Sequence, residues 1–405
     1  VERVEKDEHA ASSYLIHNGF IVLEEAVVKG ALVVQGSRIA AVLEREEDER
    51  AWRFSHPHAA VIDAEGGYIL PGLIDIHCDA IEKEVQPRPG TLFPLELALL
   101  EFERKLPVHG ITTMYHSLSL GVGLSLRGDH LLTGMVDLIH QYNKERAMIR
   151  NRIHLRFEVS YHAGLPIVEQ YVEDGRIHYL SFMDHSPGQG QYHAPGSFQR
   201  YVMKNQGITL DEVAPIVDEL MERRAQIDWS RLSELGNTAA LKGIPVASHD
   251  DDSPEQVQAM EACGMTVSEF PINMETARFA AERGIQVCVG APNVVRGGSH
   301  DNNLNAEDAV KAGAASLLCS DYHPSSLLVS VFKLAGKDGS RLPEAVKMAA
   351  LNPAIAMGTD RDFGSIKPGK AADMIVVHFY RGLPWVSRTI VDGQCVYSAQ
   401  TRPLK

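Results

Sequence analysis

The feature that most constrains this chain is a long alternation of strand and helix. Eight apolar, strand-like runs lie between residues 72 and 321: GLIDIH, GITTMYH, RIHLRFEV, YLSFMDH, IPVASHD, MTVSEFP, IQVCVGA and SLLCSD. Between most of them stand stretches such as SPEQVQAMEACG, METARFAAERG and AEDAVKAG, where apolar residues recur at steps of three and four and a glycine marks the end. Eight such β–α units close into a TIM barrel, an α/β fold of about 250 residues. The 405 residues leave room for a smaller companion. Both ends of the chain read as short strands punctuated by turns, so the companion is expected to be one small β domain built from residues 1–69 and 365–405. The barrel is expected over 70–364.

Net charge is -14 and no basic stripe stands out, which argues against a nucleic-acid surface. No apolar run approaches the ~18 residues of a membrane helix. The charged opening VERVEKDEHAASS does not read as a signal peptide. Five scattered cysteines (78, 263, 288, 319 and 395) show no paired spacing and suit a reducing cytoplasm. All but Cys78 are expected in the core. Cys78 is expected to face the helices.

Active sites of TIM barrels lie at the C-terminal ends of the strands. The first strand here ends in His77 and Asp79, two residues apart and so on one face. The third ends in Glu158, the fourth in His185, the fifth in His249 and the eighth in Asp321. A lone histidine at a strand end is ordinarily a satisfied polar residue, and Asp321 alone could be a helix cap. Six imidazole and carboxylate groups converging on one mouth are better explained as metal ligands. Their chemistry suits Zn²⁺, Mn²⁺ or Fe²⁺, and their number suits two divalent ions. Such a pair lowers the pKa of water and polarises an electrophile. Glu158 is the candidate bridge and Asp321 the candidate general base. Asp250, Asp251 and Asp252 are expected as a solvated cap opening the next helix. Asp75 reads as a buried partner of a ligand or as a turn residue.

PGLIDIH, together with NPAIAMG and GSIKPGKAADMIVV near the other end, resembles the amidohydrolase superfamily. That resemblance implies a (β/α)₈ barrel carrying a small β-sandwich formed by the two chain ends. Many of its members have HxH on the first strand and a carbamylated lysine as bridge. This chain has HCD and places Glu158 in RFEV, as in members with a bridging glutamate. Within the superfamily, HCDAIEKEVQPRPG, SFMDHSPGQGQY, ASHDDDSPE, SEFPINMETARFA, GAPNVVRGGSHDNN and CSDYHPSSLL resemble the PhnM-type enzymes of phosphonate catabolism. The resemblance implies hydrolysis of a ribose 1-alkylphosphonate 5-triphosphate to the 5-monophosphate and pyrophosphate.

An anionic, phosphorylated small-molecule substrate also fits Lys83, Arg88, His162, Arg296 and His300, all near strand ends in the sequence. The Gly297-Gly298-Ser299 run can offer backbone N–H groups to a phosphate. Two rival readings remain: hydrolysis of a C–N bond with the same metals, and a non-catalytic assembly subunit. Tyr115, His116, Tyr161 and His162 are the local departures that can retune specificity. A homo-oligomer is expected, with other proteins of phosphonate metabolism as possible partners.

Overall fold

The computed structural model describes residues 13–88, 90–121, 129–192, 196–206, 209–299 and 303–401. The chain begins with β1 (Ser13–Val22), β2 (Val27–Gln35), β3 (Arg38–Leu43), β4 (Ala60–Asp63) and β5 (Tyr68–Pro71). The barrel strands follow: β6 (Leu73–Cys78), β7 (Ile111–Leu120), β8 (Arg150–Glu158), β9 (Tyr179–Met183), β10 (Val246–His249), β11 (Val267–Glu269), β12 (Gln286–Gly290) and β13 (Leu317–Cys319). The chain returns to the first sheet with β14 (Met374–Tyr380), β15 (Leu383–Val391) and β16 (Gln394–Ser398).

The first sheet runs β16-β15-β14-β5-β1-β2-β3, with β4 beside β1, and so joins both ends of the chain. The second is all parallel, in the order β13 to β6. It closes on itself where Cys78 bridges Asp321. All eight strands expected from the sequence are present. Every residue of β6 and β7 is buried, as helices on the outside and side chains on the inside require. Between Pro71 and Leu73 only glycine fits, because a Cβ on Gly72 would lie 2.3 Å from Thr112 Oγ1.

The main apolar core lies between barrel and helices and includes Leu99, Phe102, Ile139, Val168 and Leu327. Cys78 belongs to it, as expected. Cys263, Cys288 and Cys319 are buried, whereas Cys395 on β16 is exposed, contrary to expectation, because an outer strand of the first sheet leaves one face to solvent. Arg150 at the start of β8 ties the barrel to the first sheet. It pairs with Asp373 and Asp392 and stacks 4.2 Å over the Phe363 ring. Among the described residues no helix is long and apolar enough to cross a membrane.

Candidate metal centre

The closure of the barrel builds the site. Asp321 N–H donates to the His77 carbonyl (2.9 Å), and Asp79 N–H donates to the Asp321 carbonyl (2.8 Å). Asp250, Phe270 and Asp321, just past β10, β11 and β13, have φ of 57°, 56° and 57°. Non-glycine residues seldom adopt this left-handed conformation, and three of them at neighbouring strand ends are a feature of functional rims.

Four of the six predicted ligands are linked by side-chain contacts, and a fifth through an arginine. His185 Nδ1 lies 2.9 Å from Glu158 Oε2, while Glu158 Oε1 accepts the His185 N–H at 3.1 Å. The His185 ring is 5.6 Å from that of His249, which is 5.4 Å from that of His77. Asp79 is reached through Arg156, whose guanidinium is 3.9 Å from Asp79 Oδ2 and 3.0 Å from His249 Nε2. Asp321 is the sixth. Its carboxyl is pushed up to about 7, first by burial and then by the negative charge of Asp79. Room for Glu158 depends on Gly121, where a Cβ would sit 2.7 Å from the Glu158 Cβ.

The aspartates after His249 are not a solvated cap. Ser253 caps the helix Pro254–Glu261 with its side chain, which frees the residues before it. Asp250 is buried, 3.3 Å from His249 Nδ1 and 3.9 Å from His185 Nε2. Burial works against its charge, but the imidazoles of His249 and His185 and the Arg156 guanidinium hold its carboxyl below the ordinary range. Asp251 is buried between the Ser248 and Ser268 hydroxyls and is pushed up to about 6 by burial. Asp75 is a buried partner rather than a turn residue: it accepts the Ser320 N–H at 3.1 Å.

Two further residues went unnoticed in the sequence. Arg156 stands two positions before Glu158, on the same face of β8, so strand periodicity already placed it in the barrel. Glu269 ends β11 in SEFP and satisfies the strand-end criterion used for the other six. It is fully buried, 3.0 Å from His77 Nδ1, and accepts the Tyr179 hydroxyl at 3.0 Å.

The expected substrate groups are less concentrated. The Lys83 ammonium lies 5.1 Å from the centre of the Tyr322 ring, next to Asp321. Arg88 and Arg296 are exposed, and His162 Nε2 is spent on the Arg223 carbonyl (2.9 Å). Gly297 and Gly298 do not offer their N–H groups to a ligand. Both donate to the Asn293 carbonyl and end the helix Ala291–Arg296, whose C-terminal dipole disfavours anions. His300 lies outside the described residues. Tyr115 and His116 are core residues, His116 bonding Asn151 Oδ1 at 2.8 Å.

The donor set fits a divalent metal. Among the described residues, His77 Nδ1, Asp79 Oδ1 and Glu269 Oε2 are buried without a well-aligned hydrogen bond, even where a carboxylate is near. Burial, then the charge of Arg156, keeps His77 neutral, the form that ligates. His185, His249 and Asp250 bring one donor atom each within 4.8 Å of one another, as do His77, His154 and Glu269. The second group is the poorer one, because both His154 nitrogens face serine hydroxyls, Ser117 at 3.0 Å and Ser181 at 2.8 Å.

A profile of the Amidohydrolase family matches residues 192–396. The alpha-D-ribose 1-methylphosphonate 5-triphosphate diphosphatase of Escherichia coli (strain K12) is 34% identical over 369 residues, covering 90% of this chain and 95% of that protein. Adenine deaminase 3 of Rhizobium meliloti (strain 1021) is 26% identical over 360 residues, 80% of this chain and 48% of that one. Among solved structures, A. niger ochratoxinase superposes with a TM-score of 0.65 at 14% identity, covering 96% of each chain. The N-acetylglucosamine-6-phosphate deacetylase from Pasteurella multocida gives 0.61 at 15%, covering 95% of this chain and 99% of that one. At these identities the structural likeness is one of fold. By the profile match and the near full-length likeness to the E. coli enzyme, the chain belongs to the amidohydrolase family.

Proposed function

We propose that this chain hydrolyses the 5-triphosphate of a ribose 1-alkylphosphonate, leaving the 5-monophosphate and releasing pyrophosphate. The observation that carries this reading is the likeness to the E. coli diphosphatase along nearly the whole of both chains. The site is compatible with it: the buried Arg156 guanidinium lies 3.9 Å from Asp79 Oδ2, and Lys83 stands over Tyr322, beside Asp321.

Divalent metal of the zinc, manganese or iron class, held by donors drawn from His77, Asp79, Glu158, His185 and Asp250, would supply Lewis acidity and acidify water. In the reaction a water oxygen forms a bond to the phosphorus nearest the ribose, and the bond from that phosphorus to the departing pyrophosphate breaks. Asp321 accepts the proton, and a carboxyl held near neutrality suits a base working at physiological pH. Arg156 and Lys83 offset the negative charge that spreads over the phosphoryl oxygens. Glu158 fixes the His185 ring through Nδ1. Five free cysteines support a reducing compartment, and we place the protein in the cytoplasm.

Hydrolysis of a C–N bond is the second reading, and the likeness to adenine deaminase 3 favours it. The two separate in one comparison on metal-loaded protein. Pyrophosphate release from the ribose 1-methylphosphonate 5-triphosphate, with no ammonia from adenine, is the expected result. Ammonia release from adenine with an intact triphosphate would replace the first reading with the second.

A further inference from the structure

We infer that Arg156 fills a cation position of the metal centre, so that this chain takes one divalent ion per site and not two. The inference rests on the reading of the cluster as a metal centre, and not on which bond is cleaved.

Arg156 is 6% exposed, in the midst of the ligands. One N–H points at His249 Nε2 from 3.0 Å, and the other terminal nitrogen is 3.9 Å from Asp79 Oδ2. A guanidinium has no acceptor atom and is always charged, so the His249–Arg156 contact has one sense: the imidazole accepts. A neutral imidazole has one lone pair, and here the guanidinium takes it at Nε2. The ring proton is then at Nδ1, which faces Asp250 Oδ2 at 3.3 Å. A carboxylate behind one ring nitrogen and a cation before the other is the arrangement of a metal-ligating histidine. In this chain the cation is an arginine.

The alternative tautomer does not release His249 to an ion. If Nδ1 carried the lone pair, Nε2–H would confront a guanidinium N–H at 3.0 Å. An ion at Asp79 and His249 would also be placed beside the permanent positive charge of Arg156, 3.9 Å from Asp79 Oδ2. His185, held by Glu158 at Nδ1, has its Nε2 3.9 Å from Asp250 Oδ2, and these two atoms can take one ion between them. The site would keep two positive centres: one ion and one fork of N–H donors. Among the described residues Arg156 Nε is buried without a hydrogen-bond partner.

The test is metal content by mass spectrometry, on protein saturated with Zn²⁺ or Mn²⁺ and then desalted. The wild type is expected to hold one ion per chain, with an uncoupled manganese EPR signal. Arg156→Met frees His249 Nε2 and Asp79 and is expected to hold two ions with a coupled signal, while Arg156→Lys keeps one. Two ions in the wild type would overturn the inference and leave the metal centre standing. No ion in the wild type would overturn both. One ion in a folded Arg156→Met would show that the guanidinium blocks nothing. If that variant does not fold, the wild-type count decides alone.

Discussion

The backbone N–H of Asp321 donates to the carbonyl of His77 at 2.9 Å, so the bond that closes the barrel also sets the proposed base beside a proposed ligand. The same turn holds Asp321 at φ 57°, and its backbone carbonyl accepts the Asp79 N–H at 2.8 Å.

Asp321→Asn separates the two duties of that residue. Asparagine tolerates the left-handed conformation and keeps the shape but cannot accept the proton. The expected outcome is an unchanged thermal midpoint with kcat lowered by about 10²- to 10⁴-fold and little change in KM. Steady-state kinetics beside a melting curve check it. Retained kcat would remove Asp321 from proton transfer.

Glu158 accepts the His185 backbone N–H and lies 2.9 Å from its Nδ1. Its loss should leave His185 free to rotate and remove an oxygen donor. Glu158→Ala is expected to lose bound metal on desalting, read by elemental analysis. Unchanged metal content with full activity would place Glu158 outside the site.

His116 is one of several buried histidines expected to make the fold acid-sensitive. It is fully buried, bonds Asn151, and burial pushes it down to about 4. An unfolded histidine titrates near 6.5, so between about pH 6.5 and 4 the unfolded chain binds a proton that the folded chain refuses. Stability is therefore fully present above about 6.5 and falls as pH drops through that window. Urea midpoints measured from pH 4.5 to 7.5 should show this slope. His116→Gln keeps a donor for Asn151 and should flatten the slope by about one proton. An identical slope would acquit His116.

Arg150 is a partly buried ionic tie between barrel and first sheet. Asp373, buried beneath it, has its carboxyl raised by desolvation even with Arg150 beside it. Arg150→Ala would leave that acid buried and unpaired, a loss of about 3 kcal/mol. Chemical unfolding measures it. A change under about 0.5 kcal/mol would show that water replaces the guanidinium.

The barrel was legible because its strands are buried on both faces, which makes them short, apolar and separable from the amphipathic helices. Active sites of this fold lie at strand ends, so the convergence of His77, His185, His249 and Asp321 could be read from their positions alone. Asp250 was misread because a run of aspartates before Ser-Pro is also what a helix start looks like, and only the backbone shows that Ser253 is the cap. Arg156 was missed because it lies one turn of the pleat inside the barrel rather than at its rim. The Gly297-Gly298 run was misjudged for a different reason. A glycine pair serves a helix C-terminus as readily as a phosphate, and sequence does not say which way the N–H groups point.

The proposed reaction is tested most directly by phosphorus NMR of the metal-loaded protein, with ribose 1-methylphosphonate 5-triphosphate in ¹⁸O-enriched water. Attack at the phosphorus nearest the ribose predicts a 5-monophosphate that carries the isotope shift beside unlabelled pyrophosphate. An intact triphosphate, or label found only in the released phosphates, would contradict the account.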